Sequence, residues 1–457
     1  MGYALTFAAL LGVFFLFALR RKGSLRTIPG PISPSWIFGN LLELMVPPTY
    51  GEKEFAWQKI YGTVYRIRGC IGCSFVTSVG FTATAVSECQ AALERIAKKF
   101  SEASDELEVN SGKSINVCPL LGSAALSAAS ELVFGIEELD NDLVGDIVKI
   151  MPRWPGQSKS EMLIDGIGAR FPAFFRAATL YLRSFNSLRK VQAQATQVGR
   201  QILRERVAAI ESRTVDYGHD LYTKLLADTS SSKRKLTDDE ITEQTSVLLV
   251  AGHETTATTL AFGLLELGRN PEFQQNIRDE LNARQGDVAY DSLPLLNAFI
   301  KEVLRMYPAA ALRERVALKD EIIPLSEGIV TTTGQRITKI PIREGDQVVL
   351  ALASYQSPFG EMMQTVSIPT AGLMAKYIKE KQLGHTRICS AFLVVHMFAP
   401  GGASQMQVIL AELIRKFSFT IPAGNDIVFV KFSNTLQPTD SSGQKCLRLC
   451  VARNLEV

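Results

Sequence analysis

Ala251-Gly252-His253-Glu254-Thr255-Thr256 stands in the middle of a long helical pattern, and Glu302-Val-Leu-Arg305 follows, its glutamate 48 residues after Glu254. A glycine inside a helix costs ~1 kcal/mol relative to alanine. It also thins the helix wall and lets a ligand approach the backbone. Glu254 and Thr255 set a carboxylate beside a hydroxyl, a pairing suited to handing on protons in order. Thr255 and Thr256 can bend the helix by bonding back to earlier carbonyls. The plainer reading is a polar patch in a core helix. Glu302 and Arg305, spaced i, i+3, share one helical face. As an exposed pair they would contribute less than ~1 kcal/mol.

Outward from these strings, the chain of 457 residues has room for one large domain or two or three ordinary ones. Hydrophobic residues make up 46%, enough for a sizeable core, and 49 basic against 46 acidic residues leave a net charge of +3. That balance gives no case for nucleic-acid binding. The seven cysteines form an odd set without framework spacing, which suits a reducing compartment. Cys70-x-x-Cys73 has redox or zinc spacing, but no second pair or nearby histidine supports it, so these read as plain thiols. Residues 3–19 are apolar apart from Thr6 and Gly12, and Arg20, Arg21 and Lys22 follow at once. A helix crossing the hydrocarbon needs about 20 residues, so the run is near the lower limit of a membrane anchor. A cleaved signal peptide would carry its basic residues before the apolar run. The expectation is a retained single-pass anchor, residues 1–22, with the body on the cytosolic side.

Ile28-Pro-Gly-Pro-Ile-Ser-Pro34 reads as a stiff linker after the anchor. Residues 62–68 alternate like a strand. From about Ser123 to Arg269 the pattern is mostly helical, with apolar residues at helical spacing over 188–209. Thr237-Asp-Asp-Glu240 is a capping box that opens the helix bearing Gly252, and that helix should run to about Leu267. Asn270-Pro271 opens the next. A third, over 293–307, is stopped by Pro308. Short β-like runs occupy 322–352, with turns at Glu327-Gly328 and Thr333-Gly334. Residues 405–417 read as a helix, and 426–432 and 446–451 as strands. The expected fold class is mostly α with minor β.

The two strings together resemble the cytochrome P450 family, where the first lies in the oxygen-binding helix and the second is the structural pair behind the haem (heme). The context Lys301-Glu302-Val-Leu-Arg305-Met-Tyr307-Pro308 is similar to that family, as is 408–419, which looks like the helix after the haem cysteine. The resemblance covers 29–68, 79–356 and 406–432, and its flavour is that of fungal membrane-bound monooxygenases of secondary metabolism. It implies a cytochrome P450-like domain over 23–457. Glu254 and Thr255 would be catalytic, Gly252, Glu302 and Arg305 would lie at the cofactor helices, and Arg315 or Arg313 beside a haem propionate. It also implies an NADPH-cytochrome P450 reductase as electron donor, a small apolar substrate, and an endoplasmic reticulum bilayer as the membrane.

Two stretches depart from the family. Between Gly69 and Val79 it places helices that cover the haem and a Trp-x-x-x-Arg contact; here nine residues join the flanks. The haem loop, Phe-x-x-Gly-x-x-x-Cys-x-Gly, is also absent in register. Cys389 is the fallback ligand, but His385 and Ala391 stand where the family has glycines, and Cys389 lies 28 residues before Phe417. Joining the third base of each codon to the next two restores the pattern. From the codons of 388–405, degeneracy permits Leu-Leu-Ser-Phe-Ser-Gly-Gly-Pro-His-Val-Cys-Pro-Gly-Trp-Arg-Phe-Ala. From those of 359–372 it permits Trp-Gly-Asp-Asp-Ala-Asp-Gly-Phe-Asn-Pro-Asp-Arg-Trp, the family's segment whose arginine completes the Glu302–Arg305 triad. About 359–405 therefore reads as a shifted frame, expected to have no settled structure. Three readings follow: a haem-thiolate monooxygenase, a haem-free remnant of that fold, or a membrane-tethered helical binding protein.

Overall fold

The computed structural model describes residues 27–35, 38–45, 52–61, 65–68, 74–77, 114–134, 163–164, 180–181, 186–212, 238–284, 290–351, 402–423, 429–432 and 435–454. In chain order the elements are α1 (Leu41–Met45), α2 (Glu52–Tyr61), β1 (Arg66–Arg68), β2 (Ser74–Thr77), β3 (Ser114–Asn116), α3 (Cys118–Phe134), α4 (Asn186–Ser212) and α5 (Asp238–Arg269). There follow α6 (Pro271–Asn282), α7 (Pro294–Met306), β4 (Leu312–Val316), β5 (Glu321–Val330), β6 (Arg336–Ile342) and β7 (Gln347–Ala351). The last are α8 (Gly402–Lys416), β8 (Phe417–Thr420), β9 (Phe429–Phe432), β10 (Leu436–Thr439) and β11 (Arg448–Arg453). The described residues divide into two compact units.

The first unit holds α1, α2 and the strands around residues 312–351. Its sheet runs β1-β2-β7-β4, with β2 parallel to β7 and the other pairs antiparallel. Half of the short join after Gly69 is therefore β2, an inner strand, while 69–73 lie outside the described residues. Trp57, Tyr65, Ile67 and Val349 form one core cluster, Ile28, Ile340, Ile342 and Val348 another. The proline-rich stretch is more than a linker. Ile28 is buried, Pro29 O accepts from Arg66 N at 2.8 Å, and a Cβ on Gly30 would sit 1.9 Å from Arg66 O. Only glycine permits that approach. Buried Asn40 fixes the same edge: its Nδ2 donates to Ile32 O (3.1 Å) and its Oδ1 accepts from Arg68 N (3.0 Å). Thr333-Gly334 forms the expected turn between β5 and β6. Glu327-Gly328 does not: both lie inside β5, where pairing with β6 slips register between Pro324 and Ile329. A lone glycine in a strand marks such an irregularity as readily as a turn.

The second unit is helical, with sheets β3-β11-β8 and β10-β9. Its axis is α5, 32 residues and about 48 Å long. Every residue over 252–268 is buried except half-buried Thr255, the mark of a core helix with no solvent face. Its end is stitched in place by side chains. Asn270 Nδ2 donates to Glu266 O (2.9 Å), and Pro271 opens α6 at the first helical turn, where its missing N–H costs nothing. Gln274 donates to Phe419 O (3.0 Å) and accepts from Phe419 N (2.9 Å), tying α6 to β8. The N-terminus of α7 is capped by a carboxylate from α6: Leu295 N and Leu296 N donate to the two oxygens of Glu280, at 2.9 and 3.0 Å.

The apolar run 3–19, Cys389 and nearly all of 359–405 lie outside the described residues. Among the described residues, no helix is long and apolar enough to cross a membrane.

Candidate functional site

The site is built on the middle of α5, against α3 and the hairpin arm formed by β10 and the turn before β11. Gly252 faces α3: a Cβ there would lie 2.9 Å from the Cβ of Ala129. What approaches the thinned helix wall is thus a second helix. Gly252 was expected at the cofactor; in this structure its missing side chain serves helix–helix packing. His253 lies on the same side, 2% exposed, with its Nε2 3.3 Å from where a Cβ on Gly122 would be. Neither ring nitrogen has a hydrogen-bond partner among the described residues. Burial, and then the nearby positive charge of Lys445, push its pKa down to about 3, so it is neutral in the core.

Glu254 is also 2% exposed, and it meets β10. Gln437 Nε2 donates to its Oε1, and the same amide reaches Thr435 Oγ1 at 3.1 Å. Burial raises the carboxyl's pKa, partly countered by Lys445 and by bonds from Thr435 and Gln437. One turn on, Lys445 Nζ donates to Thr258 Oγ1 at 3.5 Å. Thr255 is half-buried, and its carbonyl accepts the Thr259 hydroxyl at 2.8 Å, so the back-bonding threonine seen here is Thr259, one turn after the Thr255-Thr256 pair. Glu254 and Thr255 are thus neighbours in the core of the fold. Glu254 itself meets an amide. Among the described residues, grooves of about 730, 530 and 440 Å³ lie along α4 and share Arg200.

The other expected residues lie on other elements. Glu302, on α7, is half-buried, and the Arg305 side chain lies outside the described residues. Arg315 is exposed on β4, in the first unit. A lock that the sequence pattern does not announce holds the end of α7. Tyr307 stacks on Phe262 with centroids 4.2 Å apart and planes 4° from parallel. Its hydroxyl donates to Glu266 Oε1 at 2.7 Å, and Arg269 Nη1 reaches the same oxygen at 2.8 Å. Gln437 and Lys445 lack a local signature as well: Gln437 is 183 residues from its carboxylate partner.

A long core helix bearing Glu254-Thr255, and α7 with its Glu302-x-x-Arg305, carry the two strings on which the cytochrome P450 resemblance rests. Comparison bears this out, for the Cytochrome P450 family model matches residues 79–326. The chain belongs to the cytochrome P450 family. The match includes Gly252, Glu254, Thr255, Glu302, Arg305 and Arg315, and stops before Phe359. Curated fungal relatives agree. One is cytochrome P450 monooxygenase 219 of Postia placenta, 28% identical over 339 residues, covering 66% of this chain and 60% of the relative. Another is cytochrome P450 monooxygenase claP of Ampulloclitocybe clavipes, 30% identical over 283 residues, covering 58% and 52%. The chain thus spans under two thirds of the length of these relatives.

The family's haem is held by a cysteine thiolate, and the described residues do not fit that group. The described cysteines are Cys118, Cys446 and Cys450. Cys118 is buried at the start of α3, where burial pushes its thiol up to about 11. That opposes the thiolate form. Glu254 is closed over by Gln437. No cluster of metal-binding side chains occurs among the described residues.

Proposed function

We propose that this chain is the body of a fungal haem-thiolate monooxygenase whose residues 359–405 are read in a shifted frame. The reaction class is insertion of one oxygen atom of O2 into a small apolar substrate, with electrons from an NADPH-cytochrome P450 reductase. The haem supplies the oxygen chemistry and the protein supplies thiolate, pocket and protons. The observation that carries this reading is the pairing of Glu254 with Thr255 at the buried centre of α5, inside the family match. Residues 1–22 anchor it in the endoplasmic reticulum membrane, so alkaline carbonate should leave it in the pellet; release would remove the anchor.

A second reading holds for the chain as written: it is haem-free. Cys389 out of register and the contact of Gln437 with Glu254 favour it. The reduced carbon-monoxide difference spectrum tests both. The chain as written is expected to give no thiolate-type Soret band, and the chain with its frame restored over 359–405 to give one. A band from the first removes the haem-free reading. No band from the second removes the frame reading, unless residues missing after Gly69 are also restored and supply it. In an active restored enzyme, Thr255→Ala should release peroxide in place of product. Unchanged coupling would leave Thr255 with a structural role alone.

A further inference from the structure

We propose that Gln437 and Lys445 are positioning residues for Glu254: Gln437 sets the direction of the carboxyl, and Lys445 supplies the counter-charge that allows it to hold a negative charge inside the core. The inference deepens the reading of Glu254 as a proton-delivering carboxyl and rests on it.

The geometry is local and closed. Glu254 has lost its water, and an unpaired carboxylate in such a place is expensive. Its carboxyl is bonded by Gln437 and by Thr435, and the Gln437 amide is itself anchored at Thr435. An amide N–H donates to a carboxylate but gives it no proton, so this contact orients the group without neutralising it. Lys445 approaches from the turn before β11 and ends at Thr258, one helical turn along α5. It is half-buried, with its stem along the core and its ammonium beside α5. Thr439 and Lys445 form a β-bridge that fixes the turn, and Asp440 braces the turn by accepting from Ser442 N and Gln444 N. The arm is therefore rigid, and both residues reach α5 from one short piece of chain.

Other titratable groups lie nearby. His253 neighbours Glu254 on α5 and is neutral. Cys118 and Glu131 belong to α3, which packs on α5. Lys431 stands opposite Gln437 in the β9–β10 register. Of these groups, Lys445 is the charge that acts on Glu254.

The test uses the full chain in detergent and needs no haem. Urea midpoints are followed from about pH 4 to about pH 8 for wild type and Glu254→Gln, and the difference isolates the carboxyl. A carboxyl protonated more readily in the folded state loses stability as pH rises above the unfolded value of 4.5, then levels off once the folded group has ionised. Lys445→Met should move the levelling to higher pH, and Lys445→Arg should return it towards wild type. Gln437→Leu should move it the same way; Gln437→Asn, whose amide is one carbon short, serves if that variant fails to fold. Lys431→Met should leave it in place. A levelling pH unmoved by Lys445→Met, or moved by Lys431→Met, overturns the proposal. Failure of the relay reading is seen separately, as unchanged coupling in frame-restored Thr255→Ala.

Discussion

Gly252 and His253 are consecutive residues whose constraints differ in kind. At Gly252 alanine would gain ~1 kcal/mol of helix propensity. Its methyl, however, would press on the Cβ of Ala129 at 2.9 Å. Overpacking of this sort costs ~1–3 kcal/mol. Gly252→Ala is therefore expected to lower the urea midpoint, and adding Ala129→Gly to recover part of the loss. A ligand-facing glycine would show no such coupling. His253 is constrained by charge. Its folded pKa of about 3 lies below the unfolded 6.5. The unfolded chain thus binds the proton first as pH falls, and stability present above pH 6.5 is lost at about 1.4 kcal/mol per pH unit below it. His253→Leu should flatten that slope between pH 6.5 and 5. An unchanged acid slope would mean the imidazole is hydrated in solution.

At the scale of elements, helix ends are held by side chains from other elements. Arg278 on α6 donates through Nε to Ile414 O at 2.8 Å and through Nη2 to Phe417 O at 3.0 Å. It thereby satisfies one carbonyl in the last turn of α8, which has no intrahelical partner, and one at the start of β8. Asn454 Nδ2 adds a bond to Arg415 O at 3.0 Å. Arg278→Met keeps most of the apolar stem, removes both donors and leaves Ile414 O only the longer bond from Asn454, a loss of about 2–3 kcal/mol in chemical denaturation. A loss below ~0.5 kcal/mol would show water taking the place of the guanidinium. The helices α5, α6, α7 and α8 were legible because their punctuation is local: Asn270-Pro271 starts one and Pro308 stops another. The capping residues were not, since Glu280, Gln274 and Arg278 look like ordinary polar positions of a helix.

Over the whole molecule, 359–405 lies between the part of the chain that carries the family match and the C-terminal elements, and the proposed frame shift has an energetic consequence. The arginine recovered in the other frame is the second partner the family gives to the Glu302–Arg305 pair. In the chain as written Glu302 is half-buried, and Glu302→Ala should cost less than ~1 kcal/mol, as for an exposed pair. In the frame-restored chain the same substitution should cost ~3–5 kcal/mol, as for a broken buried pair. Equal costs in the two backgrounds would remove the arginine from this role.

The sequence by itself determined the family, the order of helices and the placing of Glu254 and Thr255 on one core helix. Those signals are short-range: periodicity, caps, proline stops and strings of six to eight residues. It also showed where the family's haem-loop string is absent in register, since the order of residues can be read without coordinates. The tertiary structure decided what surrounds those residues. That Gly252 meets Ala129, that Ile28 joins a core cluster with Val348, and that Gln437 and Lys445 attend Glu254 depend on residues far apart in the chain, 183 positions in the case of Gln437 and Glu254. No local pattern encodes such pairs, because burial and counter-charge are properties of the packed chain, and the same glutamine on an exposed strand would have read identically.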